Sequence, residues 1–169
     1  LVGGIVLAIL ILLFPSLFGE GYQSIKYLDD SNLYLLLKDS ILENLITNHW
    51  FVFLFITAVS LLNVFATAVT LNAGGNGGNF APTLFVGAYL GFAVSYLLRL
   101  IGFENIPVSN FTIVTMAGVL AGAFHAPLTG IFLIAEITGG YELMIPLMIV
   151  TVCSFTVVKY FHPETLEIK

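Results

Sequence analysis

The chain has 169 residues, of which 59% are hydrophobic and only 9% charged, and its mean hydropathy is +1.03. A soluble domain with an ordinary charged surface does not reach such values, so an all-α, polytopic membrane protein is the expected class. The net charge of -5 and pI near 4.9 argue against nucleic acid as a partner, and they provide no global field that favours an anion; any anion binding must be local.

Residues 1–18 are nearly all apolar, enough to span a bilayer with little tilt, and stop at Pro15-Ser16 and Gly19-Glu20-Gly21. The chain opens on Leu1 with no basic flank, which reads as a piece of a longer protein rather than as a signal peptide. Residues 22–49 gather Lys26, Asp29, Asp30, Lys38, Asp39 and Glu43, so this stretch must reach water. Leu35, Leu36, Ile41, Leu42, Leu45 and Ile46 recur there at roughly helical spacing, which predicts a polar interfacial loop with one short amphipathic helix. Residues 50–71 form the next apolar run. Asn63 is its strongest polar interruption, expected either to bond a neighbouring helix or to line a pore.

Between this run and the next lies Asn72-Ala73-Gly74-Gly75-Asn76-Gly77-Gly78-Asn79-Phe80-Ala81-Pro82-Thr83. A polar glycine loop joining two membrane helices must sit at the membrane surface or in a protein-lined cavity. Its glycines carry no Cβ to hold a ligand away from the backbone. Pro82, with its fixed φ and missing N–H, suits the first turn of a helix. The expected product is a bare helix N-terminus, an anion site that needs no basic side chain.

A third apolar helix is expected over residues 82–101, with Gly87, Ala88, Gly91 and Ala93 as a small-residue face and Arg99 snorkelling near its end. A turn follows, then a helix over 111–124 capped by Ser109 or Asn110, with Ala117, Gly118, Ala121 and Gly122 set for close packing. His125-Ala126-Pro127 breaks it before a further piece over 128–137, and such broken helices occur where protein rather than lipid surrounds the backbone. Glu136, an intramembrane carboxylate, is a functional candidate by default; its closeness to Gly139-Gly140 favours the plainer reading that it bonds loop amides. Residues 141–161 give a last helix, interrupted by Pro146, before a polar tail.

Cys153 reads as a small core residue. His49, His125 and His162 stand far apart with no second histidine three or four residues away, so no metal site is expected. No Gly-Lys-Ser/Thr follows the glycine loop, a third glycine is not where a dinucleotide fingerprint needs it, and no catalytic pair or cofactor site stands out.

Gly78-Asn79-Phe80-Ala81-Pro82 resembles the Gly-x-Phe-x-Pro motif of the CLC family of chloride channels and proton-coupled chloride antiporters. The run from Ala117 through His125-Ala126-Pro127-Leu128-Thr129-Gly130, continuing to Glu136-Ile137-Thr138 and Tyr141, is similar to that family's Ala-Pro-Leu-Thr-Gly segment. Leu13-Phe14-Pro15 with Gly19-Glu20-Gly21-Tyr22 also fits the family's mid-protein helix, so the matches cover nearly the whole chain in order.

The resemblance implies that residues 1–169 are a partial membrane domain, the second half of an inverted-repeat pore with broken and tilted helices, in a protein working as a homodimer. The small-residue helices are suited to the dimer contact. The resemblance further implies chloride bound by the backbone N–H groups after the motif glycine, those of Asn79 and Phe80, within an anion-binding turn made of Gly78, Asn79, Phe80, Ala81 and Pro82. The family's serine ligand and its two functional glutamates belong to the other half, and Glu136 corresponds to none of them. Counting from Tyr141 and Pro146 puts the family's tyrosine ligand at Glu167, a carboxylate that would repel chloride. Either the tyrosine is replaced or a small shift in register hides the match. Channel and antiporter are both open, and the competing reading is a non-transporting membrane scaffold in which the glycine loop serves packing alone.

Overall fold

The structure is a computed structural model that describes residues 2–13, 49–75, 78–103 and 106–162. Within them the chain is helical: α1 (Val2–Leu13), α2 (His49–Asn72), α3 (Phe80–Ile101), α4 (Val108–Phe124), α5 (Pro127–Thr138), a short 3-10 turn (Tyr141–Leu143) and α6 (Met144–Phe161). The expected interfacial segment lies, but for His49, outside the described residues, as does Glu167.

Helix ends depart from expectation in instructive ways. α3 begins at Phe80, making Pro82 its third residue; the missing N–H still falls among first-turn groups that have no intrahelical partner. α4 starts earlier than expected, with Pro107 as its N-cap and Ser109 and Asn110 inside the first turn, because the Pro107 carbonyl accepts from the N–H groups of both Asn110 and Phe111. Pro146 does not interrupt the last helix. It is the third residue of α6, where proline forfeits no internal hydrogen bond.

Glycines register the helices. A Cβ on Gly87 would lie 2.7 Å from the Met116 Cα, and one on Gly91 would lie 2.7 Å from the Phe111 carbonyl oxygen, so α3 and α4 run antiparallel with their backbones nearly touching. Gly118 meets Val150, and Gly122 meets Ser154 and Val158, so α4 and α6 run parallel. The Ser154 hydroxyl donates to the Gly118 carbonyl at 2.7 Å across that contact. α5 folds back along α4, with Gly130 3.0 Å from the Ala117 carbonyl oxygen by the same measure. These small residues are thus used within the chain.

The core between α2, α3, α4 and α5 holds Ile56, Val59, Leu84, Tyr89, Phe92, Leu120 and Ile134, all nearly or fully enclosed. Outside it, large apolar side chains are exposed along α2 (Leu54, Leu61, Val64, Phe65) and α6 (Ile145, Ile149, Val152, Val157). This inverts a soluble protein's pattern and suits hydrocarbon as the solvent. Phe53–Asn72, Phe80–Ile101 and Tyr141–Phe161 are each long and apolar enough to cross a bilayer, as in an integral, multi-pass membrane protein. Cys153 is exposed on α6 and is not the core residue expected.

Candidate functional site

The glycine loop divides its labour. α2 ends in a left-handed cap: Gly74, at φ 82, donates its N–H to Leu71, while Gly75 donates to Thr70. A Cβ on Gly75 would collide with the Thr70 carbonyl at 2.8 Å. Gly74 and Gly75 therefore serve helix termination, correcting the expectation that all the loop's glycines open the backbone to a ligand. Gly78, like Gly74, has open space where a Cβ would stand, but it lies beside the α3 amides. The nearest heavy atom to a Cβ built there is the amide nitrogen of Phe80, at 4.0 Å.

Asn79 caps α3 in an αR conformation (φ -76, ψ -10) and makes no side-chain capping bond. The described contacts to this turn go to its carbonyls. Asn79 oxygen accepts from the Thr83 N–H at 3.1 Å and from the Thr83 hydroxyl at 2.6 Å, and the Pro82 carbonyl accepts from Asn63 Nδ2 at 3.4 Å. Among the described residues no acceptor is found for the N–H groups of Asn79, Phe80 and Ala81. The turn is held by its acceptors, while its donors carry the positive end of the α3 dipole. Asn63 bridges α2 to this turn and so takes the neighbouring-helix role of its two expected ones.

The break between α4 and α5 lies beside this turn. The ring of Phe80 is 6.4 Å from that of Phe124, the last residue of α4. His125 follows in a left-handed conformation (φ 52), Pro127 opens α5 as its first residue, and the His125 ring meets the edge of Phe155 at 6.0 Å. Lys159 Nζ stands 5.3 Å from the centre of that same Phe155 ring.

The helix directions separate the charges. Among the described residues, His125, Lys159 and His162 share the end of the bundle that holds the α3 N-terminus, while Arg99, Glu136 and Glu142 stand at the other. Arg99 does not simply snorkel; its guanidinium donates to the Ile106 carbonyl at 2.8 Å. Glu136 accepts from the Tyr141 hydroxyl rather than from loop amides, because the nearby Gly140 N–H is taken by the Thr138 hydroxyl. No cluster of three metal-ligating side chains occurs among the described residues.

Comparison with known proteins gives one consistent direction. The voltage gated chloride channel family matches residues 1–159. The ClcB-like protein of Ralstonia nicotianae is 30% identical over 90% of this chain and 32% of its own length. The voltage-gated ClC-type chloride channel ClcB of Escherichia coli is 26% identical over 97% of this chain and 35% of its own length. The H(+)/Cl(-) exchange transporter ClcA of Vibrio cholerae is 37% identical over 51% of this chain and 19% of its own length. The chain thus spans about a third of the ClcB-type relatives it matches. No solved structure matches.

Proposed function

The chain belongs to the voltage gated chloride channel family, and from that membership we propose that it forms part of a chloride-conducting pore, working as a channel or as a proton/chloride antiporter. The observation that carries this reading is the first turn of α3. It is tethered through the carbonyls of Asn79 and Pro82, with no side-chain cap on its amides and Gly78 leaving the approach to Phe80 N–H open. Chloride would accept from the N–H groups of Asn79, Phe80 and Ala81, with Gly78 supplying clearance and Pro82 fixing the turn. Uncharged donors can replace water around a halide and still release it, whereas a fixed lysine ammonium at the same point would tend to trap it.

This half-site needs complementary ligands from elsewhere in the protein, and a homodimer in the bilayer is the assembly that the family resemblance implies. Residues 1–169 are then a partial membrane domain, with no cofactor and chloride as the transported ligand.

Chloride efflux from liposomes holding the protein that carries this chain, with external pH recorded in the same run, tests the reading. Efflux that drives proton uptake identifies an antiporter, and efflux without proton movement a channel. Folded protein without efflux would favour a scaffold.

A further inference from the structure

Asn63 is the polar residue of α2 that the transport reading leaves without a task. The side-chain hydrogen bonds of Thr57, Thr67, Thr70 and Asn72 all return to α2's own carbonyls, those of Phe53, Asn63, Ala66 and Ala68. The bond of Asn63 leaves the helix and ends on Pro82, inside the Gly78–Pro82 motif. A carboxamide in a membrane helix must find a partner, and many would serve. Here the partner is the carbonyl of the third residue of α3, which has a second lone pair to offer beside its place in the helical ladder.

We infer that Asn63 is a positioning residue for the anion site: it fixes the rotation and height of the first turn of α3 against α2, and so sets where the amides of Asn79, Phe80 and Ala81 point. The inference rests on the transport reading above. Two features give the tether this role. The turn has no side-chain cap of its own, so its anchors are external or come from Thr83 one turn on. The tether also holds an acceptor, so it steadies the turn without consuming a donor that the anion needs. Oriented dipoles assist a charge only when they are already aimed at it.

The test is chloride flux against chloride concentration in liposomes for the wild type, Asn63→Leu, Asn63→Thr and Asn63→Gln, with thermal unfolding of each in detergent. Threonine can satisfy its hydroxyl on its own helix, as its neighbours do, so Asn63→Thr loses the tether even if the leucine variant does not fold. The expected result is a rise in half-saturating chloride of about three- to tenfold for the leucine and threonine variants, the factor that one ordinary hydrogen bond commands, with maximal flux less affected. Asn63→Gln, which keeps the amide donor, should recover part of the affinity.

An unchanged half-saturation in folded Asn63→Leu or Asn63→Thr would overturn the inference. So would a loss of maximal flux and of unfolding temperature with no shift in half-saturation, which marks a purely structural bond. Absence of chloride-saturable flux in the wild type would instead overturn the transport reading itself, and the variants would then have no site to position.

Discussion

The rings of Phe80 and Phe124 stand 6.4 Å apart, tilted by 50°, so the first residue of α3 packs against the last residue of α4. These residues belong to two separate motifs, the glycine loop and the Ala-Pro-Leu-Thr-Gly break, that the sequence holds more than forty positions apart. The contact makes them one region of the molecule, and a change at either should be felt at the other.

Removing one amide donor is the most direct probe of the turn. Asn79→Pro suits the backbone, since φ at Asn79 is already -76 and the preceding residue is glycine. Phe80→Pro is the poorer choice because it would drive Asn79 out of its αR conformation. Loss of one hydrogen bond to a charged ligand should weaken chloride binding by about 1.5–3 kcal/mol with helix content unchanged. Chloride titration by calorimetry, with circular dichroism as control, checks it.

Gly78→Ala tests the clearance. Gly78 is not among the described residues with positive φ, and among those residues an added methyl meets nothing closer than the Phe80 amide nitrogen, so folding should be unaffected. The methyl would crowd an anion on that amide. Half-saturating chloride should rise about three- to tenfold, a loss on the scale of one hydrogen bond, while thermal unfolding stays put.

Gly91→Ala should do the reverse. Its Cβ would fall 2.7 Å from the Phe111 carbonyl and 2.8 Å from the Thr112 Cα, both backbone atoms that cannot step aside. Overpacking of this kind costs about 1–3 kcal/mol, visible as a lower unfolding temperature in detergent. Gly4→Ala, which meets nothing within 4 Å, serves as the silent control.

Lys159→Glu examines the charge separation. The ammonium lies at the same end as the α3 N-terminus, so reversing it should slow chloride entry at low ionic strength, by about two- to threefold, and the difference should fade as salt is raised. An effect that persists in high salt would point to altered packing against Phe155 instead.

Membrane class and helix order were legible because long apolar runs need no tertiary information; residues 50–71 and the observed His49–Asn72 differ by one residue at each end. The ends of shorter helices were less readable. Ser109 and Asn110 are good caps by residue type, yet the Pro107 carbonyl takes the first bonds. Proline at 146 reads as a breaker until the 3-10 turn before it is known to restart the helix only two residues earlier. Cys153 was misjudged for a deeper reason: in lipid an apolar residue gains little by facing inward, so hydrophobicity does not report burial. For the proposed site, the motif marks the turn, but only the three-dimensional structure separates Gly78, which adjoins the α3 amides, from Gly74 and Gly75, which end α2. The Asn63 tether was half legible, since the need for a partner is written in its type and the partner's identity is not.

Main-chain amides hold their protons across the whole range in which proteins remain folded. If the proposed site is the halide's, a turn that offers only such donors, steadied through carbonyls that do not titrate either, would pull on the ion equally in acid and in alkali. On that reading, sensitivity of transport to acidity would enter through groups other than this turn, acting on access or on coupling rather than on the grip itself.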